Sequence, residues 1–254
     1  MHLPILQLVN FSIILVVLIF LIKYSWDMFF GETYEPPAWG KARMEKQLSP
    51  ELLKFSKNYP DKVRLYNFWL QIQRLEKDNV TGDFAELGVY KGQSAKLLHL
   101  MAPARTLHLF DTFEGFTETD LKPERGEAAS YSTKNFADTS INKVLKHIGG
   151  DSSKLKTHAG YFPDSARGLE NESFALVNID ADLYNPVKAG LEFFYPRLAP
   201  GGVIIIHDYN HRWEGLVKAV DEFTTKMNCN LVPVADLDSS VMIFKPKEHL
   251  AVNE

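Results

Sequence analysis

Four acidic residues and one histidine stand where short apolar runs stop. They are Glu86 in Phe84-Ala85-Glu86-Leu87-Gly88, Asp111 after Leu109-Phe110, Asp180 after Asn178-Ile179, and the pair His207-Asp208 after Ile204-Ile205-Ile206. Gly88 and Gly92 give the spacing E-x-G-x-x-x-G. A glycine directly after a strand lets the backbone turn sharply beside a ligand, and the second lets the next helix start close to it. The third glycine of the dinucleotide fingerprint is missing, which disfavours a nicotinamide cofactor and an oxidoreductase. Glu86 would repel a pyrophosphate but attract a sulfonium or amino group. Asp111 lies 23 residues beyond Gly88, a placement suited to accepting both hydroxyls of a ribose. If the runs ending at Asp180 and His207 are neighbouring parallel strands, Asp180, Asp182, His207 and Asp208 gather at a spacing of about 5 Å. Gathered carboxylates repel unless a cation or proton intervenes, and oxygen donors with one imidazole favour Mg²⁺ or Mn²⁺ over zinc. Plain alternatives stay open: Asp111 as a turn cap, the others as solvated loop carboxylates.

These positions need a sheet to hold them. Strands are expected at Phe84 to Val89, Thr106 to Phe110, Leu155 to His158, Phe174 to Ile179, Val203 to Ile206, Leu231 to Val234 and Val241 to Phe244. Helices are expected at Lys62 to Lys77, with Val63, Tyr66, Trp69, Leu70 and Ile72 on its apolar face, then Ser94 to Met101, Ser140 to Ile148, Pro186 to Arg197 and Gly215 to Met227. Seven strands with helical crossovers predict an α/β fold: a Rossmann-like, mostly parallel sheet with helices on both faces. Ligands of such sheets bind beyond the carboxyl ends of the strands. The stretch Glu118 to Asn135 is expected to be a long loop, either a lid over the acceptor or a solvated insertion. His108 inside an apolar strand is expected to be packed, whereas His158 and His211 lie near strand ends and could reach the site.

The chain has 254 residues, 28 Lys+Arg and 32 Asp+Glu, for a formal charge of −4; 45% of its residues are hydrophobic and 24% charged. That composition excludes disorder along the whole chain, and the absence of a basic excess argues against nucleic acid as a partner. The lone cysteine, Cys229, permits no internal disulfide. From Leu3 to Ile22 no residue is charged, and about 20 predominantly apolar residues suffice for a transmembrane helix. A signal peptide and a buried core helix are the competing readings. Lys23, Lys41, Arg43 and Lys46 follow this segment and no Lys or Arg precedes it, so the positive-inside rule puts the body of a single-pass protein in the cytoplasm. The expected organisation is residues 1–26 as anchor, 27–60 as linker, 61–247 as catalytic domain and 248–254 as tail.

The segments GDFAELGVYKGQSA, LFDTFEGF, AGYFPDSA and above all NIDADLYNPVKAGLEFFYPRLAPGGVIIIHDYN resemble the macrocin O-methyltransferase (TylF) family of class I S-adenosylmethionine-dependent methyltransferases. The resemblance covers roughly residues 60–245. It implies a methyltransferase using S-adenosylmethionine and a divalent metal such as Mg²⁺, acting on a hydroxyl of a sugar, glycoconjugate or secondary metabolite. The acceptor is then a small molecule or a lipid-linked glycan near the membrane. The family's metal group falls on Asp180, His207 and Asp208, with His207 where an aspartate is usual; Asp180 or His207 becomes the proton acceptor. Glu86, Gly88 and Ser94 fall around the methionine part of the cofactor, Asp111 on the ribose, and Tyr161 with Phe162 beside the adenine. A tethered protein that keeps the fold and lacks catalysis is the alternative that the His207 departure motivates, and self-association is left open.

Overall fold

The computed structural model describes residues 3–30 and 35–247, and the tail expected at 248–254 lies outside them. The chain forms two compact units, residues 1–45 and 46–254. In the first, α1 (Leu3–Phe30) is one unbroken helix, and α2 (Pro37–Met44) starts with proline at its first position, where a missing N–H is harmless. The window Val9–Trp26 is long and apolar enough to cross a membrane by length and composition, and none of it is buried. A core helix of a soluble protein would be covered, so that reading is not supported.

The second unit opens with α3 (Pro50–Asn58) and α4 (Lys62–Lys77). Its remaining elements are β1 (Asp83–Leu87), α5 (Gln93–Met101), β2 (Leu107–Asp111), α6 (Glu118–Leu121), α7 (Ile141–Ile148), β3 (Leu155–Ala159), β4 (Phe174–Ile179), α8 (Tyr184–Arg197), β5 (Leu198–Ile206), α9 (Glu214–Met227), β6 (Val232–Pro233) and β7 (Val241–Phe244). The sheet order is β3-β2-β1-β4-β5-β7-β6. The first five strands are parallel, while β7 runs antiparallel to β5 and β6 antiparallel to β7. The strand order reverses between β1 and β4, which opens a crevice at their carboxyl ends.

Side chains alternate across a strand, so each strand feeds two layers. Ala85, Leu87, Val177, Ile179, Ile204 and Ile206 share one core cluster with Leu191, Phe194, Leu216 and Val220 of α8 and α9. The intervening residues Phe84, Glu86, Leu176, Asn178, Val203 and Ile205, all buried, serve the other layer, where α4 packs on β5 and α5 on β2. The buried stripe of α4 is Arg64, Leu65, Phe68, Trp69, Ile72 and Leu75. Of the residues expected on that face, Trp69 and Ile72 are buried while Val63 and Leu70 are exposed, because the sheet and not the apolar letters alone selects the stripe. β5 begins at Leu198, earlier than expected, since Leu198 pairs with Phe174 across the parallel register. Part of the expected linker, α3, packs on α5 and joins the compact unit.

Phe194 is fully buried, with ring centroids 5.1 Å from Phe174, 5.5 Å from Phe162 and 5.6 Å from Phe110. Phe194→Ala is therefore expected to remove about 3–5 kcal/mol of stability, read as a lowered urea midpoint with an unchanged slope.

Candidate active site

The register brings the singled-out residues together. Leu87 pairs with Phe110 and Ile179, and Ile179 with Ile206, so the next residues on the four strands stand in one row. Backbone bonds carry the row past the strand ends: Gly88 N–H donates to Phe110 O (2.9 Å), Asp180 N–H to Leu87 O (2.8 Å) and His207 N–H to Ile179 O (2.9 Å). Gly88 has φ +86°, and a Cβ there would run into the Asp180 carbonyl. Only glycine lets the first turn lie against the fourth strand. Beyond this row lies a cavity of about 700 Å³, lined by Gly88, Ser94, Asp111, Tyr161, Asp180, His207 and Asp208 among others. A shallower hollow of about 470 Å³ beside α9 takes His211 instead.

At the centre of the row a charged cluster balances itself. Asp180 Oδ2 accepts from Arg64 Nη2 at 2.8 Å, and its Oδ1 lies 3.2 Å from His207 Nδ1. The same nitrogen is 2.9 Å from Asp208 Oδ2, and His207 Nε2 is 3.8 Å from Asp238 Oδ2. Burial alone would raise the Asp180 pKa, but His207 and Arg64 outweigh it and hold the carboxyl well below the usual range. Burial is the largest single influence and opposes the His207 imidazolium, but Asp180 and Asp208 together outweigh it and lift the pKa to about 10. The carboxylates on either side of His207 favour its protonated form in this arrangement. Asp182, buried beside Asp180 and Asp208, is pushed well above the carboxylate range. Asp182 and Asp208 hold positive φ values of 59° and 62°, a backbone state that non-glycine residues adopt at a cost of about 1 kcal/mol and that gathers at functional sites.

The donor set suits a hard divalent cation. One ligand atom each from Asp180, His207 and Asp208 falls within 4.8 Å of the others. Octahedral ligation at 2.0–2.1 Å gives edges of about 2.9 Å, matching the 2.9 Å and approaching the 3.2 Å seen here. These spacings also suit N–H hydrogen bonds to two carboxylates.

On the other side of Gly88, Asp111 Oδ2 accepts the Val89 and Tyr90 N–H groups at 2.8 Å each, and Oδ1 accepts from Phe113 N–H at 2.7 Å. Asp111 therefore caps the turn and also lines the cavity. Glu86 does not face the cavity. It is fully buried, and its Oε1 accepts from the Ser94 hydroxyl and from Asn178 Nδ2 at 2.7 Å. Position 86 is one of the alternate residues that point into the α5 layer, so its effect on a ligand passes through Ser94. Burial raises its pKa to about 7, against the lowering effect of the Ser94 hydrogen bond.

The stretch Glu118 to Asn135 is folded and latched. Asp120 Oδ1 accepts from the Tyr161 hydroxyl (2.8 Å) and Asn185 Nδ2 (3.0 Å), and Glu124 Oε1 accepts from Tyr184 N–H at the start of α8 (2.7 Å). His108 is buried, bonded to Asp83 (3.1 Å) and His158 (3.0 Å). His158 stacks on Phe110 at 4.5 Å and is held to this pair, away from the cavity lining. Arg64 and the lining aromatics Tyr131 and Trp213 were not singled out in the sequence. An arginine on the apolar side of α4, one turn before Phe68, was the available signal for the first.

A doubly layered sheet of this order, with acidic residues at the carboxyl ends of its strands, defines a methyltransferase-type α/β fold. The O-methyltransferase NovP has that fold, with a TM-score of 0.65 and 23% identity over 73% of this chain and 80% of that one. A calicheamicin methyltransferase gives 0.60 at 19% identity over 84% and 94%. The chain belongs to the macrocin O-methyltransferase (TylF) family, whose model matches residues 41–246. Among its relatives are an 8-demethyl-8-(2,3-dimethoxy-alpha-L-rhamnosyl)-tetracenomycin-C 4'-O-methyltransferase of Streptomyces olivaceus, 28% identical, and a mycinamicin III 3''-O-methyltransferase of Micromonospora griseorubida, 29% identical. Each match covers 58% of this chain and 60% or 62% of the relative.

Glu86 yields a test of the buried layer. Its folded pKa lies above the ordinary carboxyl value of 4.5, so its favourable contribution is complete below that value and is lost as pH rises through about 7. The melting temperature should fall from pH 5 to pH 8 in the wild type relative to Glu86→Gln, the gap amounting to on the order of 3 kcal/mol. Thermal melts of both proteins across that range check it.

Proposed function

We propose that the protein transfers the methyl group of S-adenosylmethionine to a hydroxyl of a sugar ring, carried by a secondary metabolite, a glycoconjugate or a lipid-linked glycan. The observation that carries this reading is the row of Gly88, Asp111, Asp180 and His207 around one cavity, with Asp208 beside it. Gly88 admits the cofactor backbone against the fourth strand, Asp111 accepts from its ribose, and Ser94 meets its methionine end with its own proton committed to Glu86. Tyr161 stands at the adenine end, fixed by Asp120. The names of the relatives support a sugar-bearing acceptor.

Methyl transfer from a sulfonium is an in-line displacement: the acceptor oxygen forms a bond to carbon as the carbon–sulfur bond breaks, and the hydroxyl proton must leave. Asp180 Oδ1, with Oδ2 held by Arg64, is the acceptor of that proton. A carboxylate held so acidic is a weak base. Bound to Asp180, His207 and Asp208, a divalent cation would lower the pKa of the hydroxyl and make a weak base sufficient. The protein's remaining task is positioning the oxygen opposite the methyl group.

The helix α1 supports a single-pass anchor, with the basic residues after it keeping the catalytic unit in the cytoplasm. Tethering raises the local concentration of the enzyme around a membrane-resident acceptor.

The full chain in detergent should bind S-adenosylmethionine by calorimetry and pass labelled methyl to a lipid or glycoside fraction of a cell extract. Asp180→Asn should cut turnover at least about 100-fold while leaving cofactor affinity within about threefold. Absence of cofactor binding refutes the reading, and binding without transfer to any fraction returns the protein to the non-catalytic alternative.

A further inference from the structure

Three polar side chains interrupt the apolar stretch of α1 from Leu3 to Ile22: Gln7, Asn10 and Ser12. Ser12 is already engaged within the structure. Gln7 and Asn10 are exposed, and among the described residues nothing bonds their amides. At a rise of about 1.5 Å per residue, a hydrocarbon core of about 30 Å takes about 20 residues. A core that ends before Lys23 then begins at residue 3, and one that reaches Trp26 begins at residue 7. Asn10 lies about one or two helical turns inside in either placement. Lipid chains offer an amide no hydrogen bond and no water reaches it there, so it needs a protein partner.

The two amides share a stripe. Gln7, Asn10, Ile14, Val17, Leu21 and Tyr24 follow one another at alternating steps of three and four residues, the spacing that keeps one side of a helix turned toward a parallel neighbour. Ile14, Val17, Leu21 and Tyr24 are each at least 50% exposed. We infer that this stripe pairs with the same stripe of a second copy of the chain, α1 against α1, with Asn10 bonded to its equivalent and Gln7 to its own. The pairing rests on the single-pass anchor proposed above and goes beyond it. A second copy is the fitting partner because an amide is donor and acceptor at once, so two identical amides related by a two-fold axis satisfy each other. The basic residues follow the helix in both copies, so the two helices run parallel and equal residues meet at equal depth. Toward the cytoplasmic end the stripe continues in Ile14, Val17 and Leu21, which add packing contacts between the helices. Two catalytic units are thereby held together on one side of the membrane.

The test is sedimentation equilibrium of the full chain in density-matched detergent micelles, with alkaline carbonate extraction of cell membranes as a separate readout. The wild type should sediment as a dimer in reversible equilibrium with monomer. Asn10→Leu makes the segment more apolar, so it inserts at least as well, and it removes the amide. It should weaken the dimer about tenfold, whereas Ile19→Ala, off the stripe, should leave it within about twofold. A wild type that stays in carbonate-washed membranes yet sediments as a monomer overturns the pairing and leaves the anchor standing. A dimer undiminished in Asn10→Leu overturns the pairing in the same way. Release of the wild type by carbonate overturns the anchor itself, and the pairing with it.

Discussion

The site depends on how three carboxylates are kept at one sheet edge. Asp180, Asp182 and Asp208 are all buried or nearly so, and alone they would repel one another and the fold. Arg64 takes one oxygen of Asp180, and His207 lies between Asp180 and Asp208. Arg64 is itself fixed from two directions. Its backbone N–H is capped by Asp61 Oδ1 at 2.9 Å, and Asp61 Oδ2 accepts from Leu237 N–H at 2.8 Å, which ties α4 to the chain segment leading into β7. Its guanidinium also lies 5.5 Å from the Phe68 ring centroid. A single cap residue thus links the helix that supplies the counter-charge to the loop that carries Asp238 at the far side of His207.

The parallel register converts this local balance into an active-site geometry. β1, β4 and β5 each stop one residue before Gly88, Asp180 and His207, and hydrogen bonds that continue the ladder hold those three residues in line. The latched segment reaches the same cavity, where Asp120 holds Tyr161 as well as Asn185.

Much of this was legible in the sequence, for a physical reason. Central strands buried on both faces read as short unbroken apolar runs, and the residue that ends such a run marks the rim where ligands bind. Phe174–Ile179 and Val241–Phe244 were placed to the residue, and Asp111, Asp180, His207 and Asp208 all reach the cavity. What failed depended on direction or on distant partners. Glu86 sits within the strand, where alternation sends it to the helix layer, and the motif alone does not show which way it points. The buried side of α4 is chosen by the sheet, and the partner of Arg64 lies 116 positions away, so the arginine's place in the helix hints at burial while its role needs the folded chain. Tyr131 and Trp213 come from segments with no periodic pattern, and only folding brings their rings together.

If Asp180, His207 and Asp208 form one cation-binding group balanced by Arg64, the chain holds Mn²⁺ there. Electron paramagnetic resonance titration of Mn²⁺ into the full chain, comparing the wild type with Asp208→Asn, decides it. One bound Mn²⁺ per chain is expected, with at least a tenfold loss of affinity, about 1.4 kcal/mol, in the variant. Free Mn²⁺ at every concentration, or identical binding by both proteins, rules the group out.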